Sequence, residues 1–173
     1  WIAASMHGMP HGGDGIPDND FRGHFCVHFR GSTTHGSGRS DPGHQLMVHK
    51  AAGMLPQYFA DAAPTQLVDA YLFAVNQQDP GLTDWMFAAD RRRLQESLQR
   101  FMRGVRAVRR LSEFEERPWR DALAVDLPVT VAVHRAAGGP ERLRITFRLR
   151  RTDVGAPWKI DAVEMVQRQG SAP

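Results

Sequence analysis

From Leu123 to Val133 every second residue is apolar: Leu123, Val125, Leu127, Val129, Val131 and Val133. A period of two is the signature of a strand with one buried face. After a turn-forming run at 137–140, Leu143, Ile145, Phe147 and Leu149 alternate with Arg142, Arg144, Arg148 and Arg150. That pattern predicts a return strand, apolar on one side and basic on the other. A second turn at 153–157 leads into a last strand over 158–163, and 105–114 offers a further strand of weaker alternation. Upstream the period becomes helical. Leu67, Val68, Tyr71, Leu72 and Val75 share one face, with Thr65 as the expected N-cap and a stop at 76–81. Trp85, Met86, Leu94, Leu98, Phe101 and Met102 predict a second helical stretch, broken near Ala88.

Helices followed by three or four antiparallel strands make an α+β layer arrangement. The helices must cover the apolar face of a curved antiparallel sheet. Over 64–167 this order, closing on Trp158-Lys159-Ile160-Asp161, resembles the cone-shaped fold of the nuclear transport factor two type, also called cystatin-like. The resemblance implies a fold and no activity, because enzymes, ligand pockets and accessory domains share it. Trp85, Trp119 and Trp158 are expected in the core. His134, Asp161 and Glu164 are expected at the surface, and Arg91-Arg92-Arg93 on a solvated helix face.

Near residue 53 the composition changes. Seven of the eight histidines lie between His7 and His49. This part is rich in Gly and poor in helix formers, which marks a domain boundary. It offers two short strands, at 2–6 and 24–29, and a helix over 42–52 with Asp41 as N-cap and Pro42 in the first turn. So little structure cannot bury a core of its own. Residues 1–53 are therefore expected to be the C-terminal part of a larger, β-rich domain whose front is truncated. Residues 54–63 read as a linker, 64–167 as the second domain and 168–173 as a tail.

The chemistry of the first part centres on Gly23-His24-Phe25-Cys26-Val27-His28-Phe29. Read as a strand, it sends Phe25, Val27 and Phe29 to one side, the expected core face. His24, Cys26 and His28 go to the other. Imidazole can take a thiol proton, and imidazolium lowers a thiol pKa, so the only cysteine in the chain stands in a reactive setting. The alternative is a small buried hydrophobe.

His7-Gly8, fourteen residues, then Gly23-His24-Phe25-Cys26-Val27-His28 resembles the bipartite active-site motif of L,D-transpeptidases. Here Gly23 stands where that family has Ser or Thr, Phe25 where it has Gly, and His28 where many members have Arg. The resemblance implies Cys26 as nucleophile and His7 as general base, with His24 and His28 beside them. Gly8, Gly23, Phe25 and His35 would line the substrate. The implied reaction is acyl transfer or peptidase chemistry on a peptidoglycan stem peptide, at an extracytoplasmic, cell-envelope location, without a cofactor.

Two other functions fit the same residues. Zinc takes His and Cys ligands, and His24, His28, Cys26 and His11 would be its set in a zinc-dependent hydrolase. A non-enzymatic ligand-binding or interaction domain is the other. One cysteine excludes an internal disulfide, and no apolar run is long enough to span a membrane. The net charge of +3 leaves no basic block with interleaved aromatics, so the arginines read as a solvated face and nucleic acid is not an expected partner.

Overall fold

Ser5–Met9 (β1) and His24–His28 (β2) pair as antiparallel strands, with Ser5 opposite His28 and His7 opposite Cys26. The computed structural model describes residues 1–9, 18–20, 23–34, 38–115, 119–136 and 139–167. The chain divides into two units, Trp1–Tyr58 and Phe59–Pro173. In the first, helix α1, Pro42–Ala51, packs against the strand pair and buries Gly43, Leu46 and Val48. Asp41 caps it, its carboxylate accepting the His44 N–H at 2.9 Å. Where the composition suggests a linker, a second helix, α2, spans Leu55–Asp61 and crosses the boundary between the units.

The strand pair is turned over relative to the sequence expectation. Met6, Phe25, Val27 and Phe29 are 68, 57, 51 and 47% exposed, whereas Ser5 and His28 are buried. Alternation is real, but the polar face is the inner one. The reason lies in α1, which presents His44 to the strands. Ser5 and His28 are buried because each finds a partner there, as buried polar groups require.

In the second unit, α3 spans Pro64–Gln77 and α4 spans Arg92–Arg103, with 3₁₀ turns at Pro80–Trp85 and Ala89–Arg91 between them. Strands β3 (Val105–Arg110), β4 (Ala124–Arg135), β5 (Glu141–Arg150) and β6 (Lys159–Gln167) form an antiparallel meander in that order. The α+β class is thus realised. Leu67, Val68, Tyr71, Leu72 and Val75 of α3 are all buried, as are Leu127 to Val133 and Leu143 to Leu149 at alternate positions. Tyr71 meets Phe147 edge-on, with centroids 5.5 Å apart. Three expectations shift. Pro64 opens α3 and the Gln66 side chain accepts the Ala63 N–H at 2.7 Å, so Thr65 is not the cap. Trp85 is exposed, and Leu123 lies outside β4 and is exposed. Among the described residues no helix is long and apolar enough to cross a membrane.

Side chains finish what the backbone leaves open. β3 is an edge strand, and Asn76 pairs with it as another strand would. Its amide donates to the Val108 carbonyl at 2.9 Å, and its oxygen accepts the Val108 N–H at 2.7 Å. Gln78 ends α3 with φ 52, and its Nε2 lies 2.8–2.9 Å from the carbonyls of Val75, Met102 and Val105. Asp161 sits in a bulge of β6, between Ile160 opposite Leu149 and Ala162 opposite Arg148. There it accepts from Arg91 at 2.6 and 2.9 Å and from Arg150 at 3.2 Å. It is therefore an anchor and not the loose surface charge expected. Arg151 donates to the carbonyls of Ala122 at 2.7 Å and Trp119 at 3.0 Å, and to those of Arg120 and Val154. Its guanidinium also lies over Trp158, 4.6 Å from the ring centre.

Candidate functional site

The inner face of the β1–β2 pair holds Ser5, His7, Cys26 and His28 in two facing rows. Directly opposed residues in an antiparallel pair have Cβ atoms about 4.5–5.5 Å apart, so the register sets Cys26 and His7 side by side on this face. Cys26 is half-buried and His7 exposed, which leaves the thiol open from one side. One step along, His28 faces Ser5.

His44 sits over this face. Its ring stacks on His28, with centroids 3.8 Å apart and planes 12° from parallel. Its Nδ1 is 2.8 Å from Ser5 Oγ. The His7 ring lies 5.8 Å away, tilted by 51°. Burial and then the adjacent His28 hold the His44 pKa below that of an ordinary imidazole. Asp41 opposes this and His7 adds to it. Three imidazoles, those of His7, His28 and His44, therefore gather on the thiol-bearing face, and the central one resists protonation. His28 is further tethered by a long contact of its Nδ1 to Ser32 Oγ, at 3.5 Å.

The sequence missed His44 and Ser5. His44 reads as a helix-surface residue because only its own helix is visible in the sequence. The signal that could have found it is Asp41-Pro42-Gly43-His44. A fixed cap sets the start of the helix, and a buried glycine stands beside residue 44. His49 does remain on its own helix, its Nδ1 donating to the Gln45 carbonyl at 2.7 Å.

The remaining site candidates are placed as follows. Gly8 lies opposite Phe25 and His24 opposite Met9 in the strand register; the His24 side chain lies outside the described part of the structure. His11 and His35 lie outside the described residues. Phe25 points away from Cys26, to the exposed face. Of the zinc set His24, His28, Cys26 and His11, only the side chains of His28 and Cys26 lie within the described part of the structure; among the described residues there is no group of three or more His, Cys, Asp or Glu that could hold a metal ion.

The second unit carries an open groove of about 670 Å³ lined by Trp119, Ala122, Ala124, Val125, Asp126, Arg148 and Arg150. Its cations are committed within the protein. Arg148 bonds Asp126 at 3.2 Å and approaches Glu164 at 3.6 Å, and Arg150 bonds Asp161.

No family model and no curated protein matches the chain. Among solved structures it is similar to a SEC-C motif-containing protein from Rhodopseudomonas palustris, at 18% identity and TM-score 0.50. That match covers 76% of this chain and 96% of the other. It is also similar to a nuclear transport factor 2-like superfamily protein from Salmonella enterica serovar Typhimurium. Here identity is 12% and the TM-score 0.47, over 70% of this chain and 96% of the other. At such identity the first likeness speaks for the fold alone. That first structure is a SEC-C motif protein and not an L,D-transpeptidase, and no family model of that kind matches, so the resemblance read from residues 7–28 is corrected on that ground.

The geometry explains why the motif misleads. Gly23 has φ 144, a conformation that suits glycine and strains the Ser or Thr of that family. Phe25 is turned away from the thiol. His28, in place of an arginine, is buried under His44 and is not presented to a substrate carboxylate.

Proposed function

We propose that the first unit is the thiol-bearing part of a cysteine-dependent acyl-transfer or peptidase enzyme, with Cys26 as nucleophile and His7 as general base. One observation carries this reading: the two residues are direct partners across the β1–β2 pair. Imidazole accepts the thiol proton, and the thiolate attacks an acyl carbonyl. A tetrahedral intermediate collapses to a thioester as the leaving amine or alcohol takes the proton back from His7. Water or an amine then attacks the thioester and restores the thiol. Ser5, His28 and His44 position the face on which this happens, through the stack and the Ser5–His44 hydrogen bond. The peptidoglycan substrate falls away with the corrected resemblance and forms no part of this reading. The second unit is an accessory α+β domain of the nuclear transport factor two-like, cone-shaped layout. Its helices on one face of a four-stranded meander support that assignment.

The test is the pH dependence of Cys26 alkylation in the whole chain, together with mass spectrometry after exposure to an activated ester. The expected results are an apparent thiol pKa below the usual value of about 8.5, one covalent acyl adduct on Cys26, and slower acylation in His7→Ala. An ordinary thiol profile that His7→Ala leaves unchanged, with no adduct, overturns the proposal.

A further inference from the structure

The outer face of the second unit's sheet is divided by charge in a way the sequence does not reveal. At one end, each arginine has an acid. Arg148 is held by Asp126 and Glu164, and Arg150 by Asp161. At the other end, the register places Arg109 opposite Ala132, Ala132 opposite Arg142, and Thr130 opposite Arg144. All three arginines are exposed. Among the described residues none of them has an ion-pair partner. With strands about 4.8 Å apart and a rise of about 3.4 Å per residue, Arg109 and Arg142 stand roughly 10 Å apart and Arg142 and Arg144 roughly 7 Å apart. Ala132 and Thr130 between them are small, so the three guanidinium groups border a shallow trough.

We infer that this trough binds the phosphate backbone of duplex nucleic acid without reading its sequence. The kind of partner follows from what the face has and lacks. Arginine presents a planar fork that fits phosphate in bidentate fashion. A protein partner draws most of its binding energy from aromatic and apolar anchors in desolvated pockets. A single strand needs aromatic platforms on which its bases stack. Among the described residues at this end of the face there is no Phe, Tyr or Trp. A duplex needs neither kind of anchor. Its phosphates bind fixed cations through release of condensed counterions, and that contribution alone sustains non-specific binding. The inference is independent of the thiol chemistry of the first unit. It also replaces the expectation that these arginines only solvate a face, because the pairing of strands, invisible in the sequence, gathers three of them with no ion pair among the described residues, the nearest acid, Glu164, lying diagonal to Arg144 and turned to Arg148.

Fluorescence anisotropy of a labelled mixed-sequence DNA duplex with the whole chain, across a series of salt concentrations, tests it. Three neutralised phosphates give a slope of log affinity against log salt of about −2.7, and each Arg→Ala change at 109, 142 or 144 reduces it by about 0.9. The triple Arg→Lys variant retains binding. Removing three exposed arginines of α4 instead, by Arg93→Ala, Arg100→Ala and Arg103→Ala, leaves the slope unchanged. The inference is overturned by absent binding at low salt, or by a slope indifferent to the triple alanine variant. Tighter binding of a polyglutamate peptide or of single-stranded DNA than of duplex overturns it as well, and assigns the face to that partner.

Discussion

His28 lies flat against His44, ring over ring, at the centre of the first unit. Two imidazoles so close cannot both become cations without repelling each other across a face that water reaches poorly. The His44 pKa is accordingly held below the usual value, by burial first and by His28 second. Unfolding frees the ring to take up a proton at its ordinary pKa of about 6.5. Between the lowered folded value and that figure, the unfolded state binds more protons. The contribution to stability is complete above about pH 6.5 and is lost as the pH falls through the folded pKa. The expected result is a His44 Cε1–H NMR titration with its midpoint below 6.5, moving upward in His28→Phe. A midpoint at or above 6.5 in the unaltered chain contradicts the stack.

Tyr71 is buried against Phe147, yet its hydroxyl finds no hydrogen-bond partner among the described residues. Burial pushes its ionisation well above the usual phenol range. A buried polar group left unmatched costs about 1–3 kcal/mol, so Tyr71→Phe is expected to raise stability by about 1 kcal/mol. Urea unfolding checks this, with the midpoint moving up at constant slope. A fall in the midpoint means that the hydroxyl holds an ordered water.

Asn76 supplies the free edge of β3 with the pairing of a missing strand. Asn76→Ala strands the N–H and carbonyl of Val108, and a loss of about 1–2 kcal/mol is expected. Hydrogen exchange gives the sharper readout. The Val108 amide is protected in the unaltered chain and exchanges quickly in the variant, while the amides of β5 stay protected unless the whole unit opens. Equal exchange at Val108 in both proteins removes Asn76 from its role.

The sequence discloses the second unit well and the first unit poorly, for a physical reason. Along 127–149 apolar residues face helices that are themselves apolar, so alternation points inward and burial follows it. In the strand pair the same rule fails. Phe25 and Val27 face out because α1 offers the other side a histidine, and a hydrogen-bonded polar contact takes the inner position. Cys26 and His7 are legible as candidates from residue type, but their pairing belongs to strand register. His44 depends on the docking of a helix that begins fourteen residues downstream of the strands. The charge division of the outer sheet is hidden for the same reason, since an arginine's neighbours across strands are far away along the chain.

Gln78 adopts a left-handed conformation that a glycine would accept without strain. At most helix ends, exchange to glycine would relieve the backbone. Here the side chain reaches the ends of α3 and α4 and the start of β3 at once, so a glycine would release three segments to relax one. Substitution tolerance at this position is governed by reach. Glutamate would meet three carbonyls with no proton to give, and asparagine is one carbon too short. Sequence drift here is confined to an amide of this length, even though the residue itself is exposed to solvent.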